Sequence, residues 1–151
     1  MNAMADWSTD GASETTGATL ILSCLVAEVV AGASAAQRRA FFRAVGARIA
    51  AAHPVGDAQD IAALAASINR LWDEHDCGQV RIEQVDDGLL ITHTGFAQNL
   101  ASTLGAATEQ SLRPMLEGAY DGWLHTLGSS ATLTTRTLWW SDTEARLKHG
   151  R

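Results

Sequence analysis

The clearest periodic pattern in the chain lies in residues 111–127, SLRPMLEGAYDGWLHTL. Ser111 stands where an N-cap is expected, and Pro114 then falls in the first turn, where a missing backbone N–H breaks no helical hydrogen bond. Gly128 is placed to end the helix in the left-handed conformation. The pattern predicts a core helix or one half of a subunit interface. Its apolar residues recur every three or four positions and form one stripe: Leu112, Met115, Leu116, Ala119, Trp123 and Leu127.

A second apolar segment, residues 18–33, carries almost no polar side chains. Its length favours a helix over a buried strand. Because apolar residues surround the helix nearly completely, burial on most sides is predicted. The segment is too short to span a bilayer and contains Glu28. No basic residue precedes Arg38, so the segment lacks the positive region of a signal peptide, and the protein is predicted to be cytoplasmic.

Two more helices are predicted before the middle of the chain. Ser34 and Gln37 have the spacing of a capping box, which opens a helix that Pro54 ends at His53. Acidic residues then open a helix over residues 57–74. The basic side chains of the first of these helices are predicted to form a solvated face or to pair with acids of a neighbouring subunit; an acidic partner is the alternative. They are Arg38, Arg39, Arg43 and Arg48.

Strand signals follow. Residues 79–94 alternate in polarity around Asp86-Asp87-Gly88, which predicts a β-hairpin. Residues 131–140 are rich in Thr and Trp and predict a third strand, with Trp139 and Trp140 on opposite faces. A short helical turn is expected between the hairpin and the helix at residues 111–127.

These elements predict an α+β fold in which several amphipathic helices pack with a small antiparallel sheet. Residues 18–141 are expected to form a single domain. Residues 1–17 are polar and small and predict a flexible arm, whereas residues 142–151 predict a charged and frayed tail.

Composition narrows the function. The chain has 151 residues and a net charge of −6, which disfavours nucleic acids and anionic membrane surfaces. Cys24 and Cys77 are the only cysteines and are expected to be free, buried thiols.

The sequence carries no recognisable catalytic or metal-binding motif, so the chain is predicted not to be an enzyme and to need no metal or cofactor. The acid-rich residues 73–78 are the nearest approach to a metal site, but no second Cys/His pair stands at ligand spacing. A thiol–imidazole pair of Cys77 with His93 or His125 is an alternative that requires a reactive, low-pKa thiol.

The helix at residues 111–127 also carries the pattern L-x-P-x-L-E-G-x-Y-x-x-W, which resembles the bacterial cellulose synthase D subunit family. Residues 41–46, FFRAVG, are similar to that family's L-L-R-x-V-G segment. The predicted elements follow in the family's order over most of residues 19–140.

The resemblance implies a non-catalytic accessory subunit of the cellulose synthase and secretion complex, located in the cytoplasm at the inner face of the membrane-bound synthase. It implies a ring-shaped homo-octamer of four dimers that guides nascent glucan chains and works with a proline-rich scaffold partner. Passageways lined by N-terminal segments would place Asp6, Trp7, Ser8 and Thr9 at the glucan. Core or oligomer-interface candidates are Phe41, Phe42, Leu116, Tyr120, Trp123, Trp139 and Trp140.

A different class remains open on size and composition. A small, acidic, dimeric secretion-type chaperone that binds an effector segment on an apolar surface has the same length and charge. The mass of the assembly distinguishes the two, because a ring is larger than a dimer.

Overall fold

The computed structural model describes residues 17–96 and 98–151. The helices are α1 Gly17–Gly32, α2 Ala35–Ala52, α3 Ile61–Glu74, α4 Gln98–Leu104 and α5 Thr108–Thr126, with a 3₁₀ turn Gly105–Ala107 before α5. The strands are β1 Gln79–Val85, β2 Gly88–Thr94, β3 Thr134–Trp140 and β4 Glu144–Gly150. The α+β class predicted from the sequence is confirmed.

The strands form one antiparallel sheet in the order β1-β2-β4-β3. Ile82, Ile91 and Leu147 are paired across the three neighbouring strands β1, β2 and β4 and belong to the buried core. α5 contacts both α2 and β3, and α3 contacts β1. The central helix thereby joins the helical layer to the sheet.

The predicted helix boundaries upstream are confirmed closely. The backbone N–H of Ser34 donates to Gln37 Oε1 at 2.9 Å and the N–H of Gln37 donates to Ser34 Oγ at 3.2 Å, which is the reciprocal capping box. α2 ends at Ala52, and His53 is its C-cap, directly before Pro54. α3 begins later than predicted because Asp60 is its N-cap and accepts from the N–H of Ala63 at 2.7 Å.

The hairpin at residues 79–94 is also confirmed, with Val85 paired to Gly88 across a two-residue turn. The third predicted strand corresponds to β3. Its two tryptophans differ as expected: Trp140 packs against the core, whereas Trp139 is 49% exposed beside the Arg146 guanidinium.

The N-terminus of α5 differs from the prediction. The helix begins at Thr108, directly after the 3₁₀ turn, and Pro114 lies inside it. Ser111 is not an N-cap; its hydroxyl donates back to the carbonyl of Ala107 at 2.7 Å. Serine makes such bonds within helices as well as at their starts, so its presence alone does not locate a helix end.

The predicted frayed tail at residues 142–151 is wrong. Residues 144–150 form β4, which pairs with β2 on one side and β3 on the other. Ala145, Leu147 and His149 alternate with charged residues, and each of the three is at most 3% exposed. The charges concealed this period-two alternation, which is the stronger indicator of a strand with one buried face.

The prediction that residues 18–33 are buried on most sides is also wrong for the single chain. Val26 is the buried residue of α1, and the leucines and isoleucine around it are exposed. α1 is held at its C-terminal end by Arg38, whose guanidinium donates to the carbonyls of Val30 at 2.8 Å and Ala33 at 3.1 Å.

Candidate functional site

The most unusual surface of the described chain lies on α1. We define the α1 surface as Leu20, Ile21, Leu22 and Leu25, whose exposed fractions are 61%, 61%, 49% and 60%. Full burial of such a side chain stabilises by about 1.5–3 kcal/mol relative to full exposure, and roughly half of that is lost here. Exposed apolar side chains grouped in this way are typical of interaction surfaces.

A cavity of about 520 Å³ lies beneath α1. We call it the α1 cavity. All five helices contribute to its walls, which are almost entirely apolar. Representative lining residues are Val26, Val29, Phe42, Ile49, Trp72 and Leu112.

The backbones of α2 and α5 touch where they cross. A Cβ on Gly46 would lie 1.9 Å from the carbonyl oxygen of Met115, and one on Gly118 would lie 2.0 Å from that of Arg43. Neither contact is possible for a real side chain, so both positions require glycine. Gly46 and Gly118 are the glycines of the two sequence patterns that carry the family resemblance.

Glu117 is the hub that joins α5 to α2 and β3. Its carboxylate is 1% exposed and accepts from Arg39 at 2.7 Å and Arg43 at 3.0 Å. It also accepts from the backbone N–H and the hydroxyl of Thr137, at 2.8 and 2.9 Å. Arg43 donates as well to Asp121 at 2.7 Å. Both arginines therefore pair with acids of the same chain. The predicted solvated or intersubunit face is wrong for Arg43, whereas Arg39 is 50% exposed and lies on the solvated face as predicted.

Sequence reasoning missed this hub. Its signal was present, since Glu117 directly follows Leu116 and stands three residues before Tyr120, both core residues. A carboxylate on the buried side of a helix requires charged or hydrogen-bonding partners.

A second polar chain runs through the core from α3 to β2. The His93 Nε2 lies 2.8 Å from the carbonyl oxygen of Cys77, and its Nδ1 lies 2.7 Å from the Tyr120 hydroxyl. Because a carbonyl can only accept, Nε2 carries the proton and Nδ1 accepts from Tyr120. Trp72 donates to the same hydroxyl at 3.3 Å. Burial lowers the pKa of His93 to about 4 and raises that of Tyr120, so both groups are neutral near pH 7.

The fold also brings Ser129, His149 and Asp121 together. Ser129 Oγ lies 2.5 Å from His149 Nε2, and His149 Nδ1 lies 2.9 Å from Thr135 Oγ1 and 3.5 Å from Asp121. The residue types are those of a hydrolase triad, but Asp121 is already bound by Arg43 and by the N–H of Thr135. The grouping ties the loop after α5 to β3 and β4. Burial lowers the pKa of His149, opposed by the nearby Asp121 charge.

The thiols give no support to nucleophilic catalysis. The Cys77 thiol donates to the carbonyl of His75 at 3.3 Å, and burial raises its pKa, opposite to what a reactive thiolate needs. Both ring nitrogens of its suggested partner His93 are already hydrogen-bonded. Cys24 is exposed, contrary to the prediction that both thiols are buried. Among the residues that the structure describes, no cluster of His, Cys, Asp and Glu is arranged to hold a metal ion.

The predicted core and interface candidates separate into two groups. Phe42, Leu116, Tyr120 and Trp123 are buried, at most 3% exposed, and Trp140 is partly buried. Phe41 and Trp139 are exposed, at 50% and 49%. The predicted glucan contacts Asp6, Trp7, Ser8 and Thr9 lie outside the described residues.

Fold and site together define a small α+β domain with an uncovered apolar helix above an apolar cavity. The family model for the D subunit of cellulose synthase matches residues 9–150, nearly the whole chain. The chain belongs to this family, which confirms the resemblance seen in the sequence. Membership assigns it an accessory role in cellulose synthesis and an association with the cellulose synthase complex.

A solved structure resembles the chain in fold. No curated protein matches the chain. The phenol-responsive sensory domain of the transcription activator PoxR, crystallised with phenol, has a similar structure, with a TM-score of 0.55 over 87% of this chain and 74% of that one. At 16% sequence identity the likeness is one of fold.

Over residues 17–96 and 98–151, the helices are too short or too polar for any of them to cross a membrane.

Proposed function

We propose that this chain is a non-catalytic accessory subunit whose copies assemble into a ring-shaped homo-oligomer, an octamer of four dimers. The ring guides nascent glucan chains and organises synthase complexes for ordered cellulose assembly. It lies in the cytoplasm at the inner face of the membrane-bound synthase, with synthase subunits and a proline-rich scaffold protein as partners. The observation that carries this proposal is the exposed α1 surface.

The α1 surface supports assembly because its composition is that of a protein core. Leu20, Ile21 and Leu25 are each at least 60% exposed on a helix whose sequence is apolar nearly all round. An isolated helix of this kind is stable in water only when its apolar face is covered. A second copy of the same chain provides a matching apolar helix and forms a symmetric dimer. Joining four such dimers into a ring needs a second surface, for which the exposed Trp139 is a candidate.

The N-terminal residues supply the proposed glucan contacts. A sliding glucan chain needs polar groups that match its hydroxyls and an aromatic ring on which a sugar can stack, without tight binding. Asp6, Trp7, Ser8 and Thr9 have these side chains, and the family resemblance supports N-terminal segments as the lining of the passageways. Deleting residues 1–17 should lower cellulose yield or disturb its packing; unchanged yield and packing would contradict this role.

Light scattering on a size-exclusion column tests the assembly. Eight chains of 16.0 kDa give 8 × 16.0 = 128 kDa, and two give 2 × 16.0 = 32 kDa. A stable species near 128 kDa is expected. A dimer would instead favour the chaperone-like alternative that binds an effector segment, and a monomer would refute the ring.

A further inference from the structure

The α1 cavity has the size and chemistry of a small-molecule site. Its volume of about 520 Å³ falls within the range of ligand pockets, roughly 300–1,000 Å³. Apolar cavities of about 150 Å³ stay dry and hold a benzene molecule. The α1 cavity therefore has room for a compound of two or three fused or linked rings.

The walls offer few polar groups to water or to a charged ligand. A buried water needs two to four polar partners. Ser111 donates to the carbonyls of Ala107 and Thr108, and Cys77 donates to that of His75. His75 Nδ1 lies 2.9 Å from the carbonyl oxygen of Leu71, and the His53 ring packs edge-on against that of His75. The other lining side chains are aliphatic or aromatic, and four of them are phenylalanine or tryptophan: Phe41, Phe42, Trp72 and Phe96.

All five helices of one chain contribute side chains to the walls, so the cavity is formed without a second copy. A partner helix on the α1 surface would lie across the part of the rim formed by Leu22 and Leu25.

A small molecule can reach the cavity from solvent. Leu22, Leu25 and Phe41 line it and are 49%, 60% and 50% exposed, so they form its rim. Phe42, Trp72 and Leu112 are at most 4% exposed and form its floor. The site is thus an open-mouthed pocket with a closed apolar base.

From these observations we infer that the α1 cavity is a binding site for an uncharged apolar small molecule, of the size of a two- or three-ring aromatic compound. This inference goes beyond the proposed function, because the walls of the cavity belong to one chain. The two share Leu22 and Leu25, so assembly through the α1 surface would narrow the entrance to the cavity.

The test is a fluorescence titration of the full chain with N-phenyl-1-naphthylamine, an uncharged aromatic probe that brightens in apolar sites. The wild type should bind one probe per chain. Val45→Trp places a large ring in the cavity from a half-buried wall position and should weaken binding at least about tenfold. Leu100→Trp fills the same space from α4 and serves if the first variant does not fold.

Ile21→Ser is the matched control, since Ile21 is on the α1 surface but does not line the cavity. Its affinity for the probe should equal that of the wild type. Undiminished binding by the folded cavity-filling variants would overturn the inference, and so would loss of binding in Ile21→Ser, because the probe would then lie on the exposed surface.

Measuring the probe affinity at several protein concentrations, alongside the mass of the assembly, separates this site from an interface. Affinity that does not change with assembly mass supports a site within one chain. Probe that binds only dissociated chains would show that a second copy fills the cavity and would also overturn the inference.

Discussion

At the scale of single residues, this protein places ionisable groups inside its core and satisfies each of them. Glu117 is 1% exposed, yet two guanidinium groups and two donors of Thr137 surround its carboxylate. A buried charge is tolerated only with such partners, and losing them costs more than the pair contributes.

Glu117→Gln removes the charge with little change in shape. We expect the free energy of unfolding to fall by about 3 kcal/mol. This is the lower end of the loss typical of breaking a buried ion pair, because Arg39 and Arg43 keep some access to water. Glu109→Gln is the matched control on the same helix, since the Glu109–Arg113 pair is exposed and worth at most about 1 kcal/mol. Urea unfolding followed by tryptophan fluorescence measures both. Equal losses in the two variants would show that Glu117 is not a hub.

His93 should make stability depend on pH. Its pKa is about 4 in the folded protein and 6.5 without burial, so the unfolded chain binds more protons between these values. The contribution is complete above about pH 6.5 and is lost as the pH falls towards 4. It amounts to about 3 kcal/mol at most.

Urea unfolding of the wild type and His93→Gln at several pH values isolates this contribution. The variant should be less stable near pH 7 and should have a shallower decline between pH 6.5 and 4. His53→Gln, at an exposed position, should keep the full decline. Identical pH slopes in the wild type and His93→Gln would contradict the assignment.

At the scale of elements, the crossing of α2 and α5 organises the helical layer. Gly46 and Gly118 allow the two backbones to touch, and this contact places Glu117 within reach of the arginines of α2. Helix propensity alone would favour alanine over glycine by about 1 kcal/mol.

Gly118→Ala should therefore destabilise, although the substitution usually stabilises a helix. The new Cβ would meet the Arg43 carbonyl oxygen at 2.0 Å, and backbone cannot move aside as a side chain can. We expect a loss of about 1–3 kcal/mol or more in the free energy of unfolding. In Gly17→Ala the added Cβ meets no other atom within 4 Å, so that variant should be neutral or slightly stabilised. A neutral Gly118→Ala would mean that the helices are further apart than described.

Several elements were predictable because their signals are local. The capping box of Ser34 and Gln37 and the hairpin around Gly88 each depend on residues close together in sequence, and both are confirmed. β4 was missed because its charged residues outweighed the alternation of Ala145, Leu147 and His149. Ser111 was misassigned as an N-cap because a serine hydroxyl can form hydrogen bonds both at the start of a helix and within it.

At the scale of the whole molecule, α1 stands out because its sequence is apolar but most of its side chains are exposed. It is apolar nearly all round, yet the described residues bury little of it. The described residues do not supply its cover, which we propose comes from a second copy. The exposed aromatic residues on other faces, Phe41 and Trp139, are further interface candidates.

Leu20→Asp places a charge on the α1 surface without entering the cavity. We expect it to reduce the assembly to smaller species in light scattering, because a buried carboxylate without a partner disfavours the interface. Trp139→Ser alters the exposed face of the sheet, a candidate for the contact between dimers, and should lower the mass no further than that of a dimer, because α1 still pairs two copies. If only Trp139→Ser lowers the mass, then the sheet, not α1, forms the interface.

The sequence by itself determined the α+β class, most helix and strand boundaries in residues 18–140 and the family resemblance, because periodicity, capping and turn signals act between near neighbours. Only the tertiary structure decided that β4 is an inner strand, that Glu117 joins three elements, that α1 is uncovered and that a cavity lies beneath it. Each of these depends on which distant segments pack together. The polarity of a side chain determines whether it requires an apolar, a hydrogen-bonding or a charged partner. The fold determines which residue is that partner.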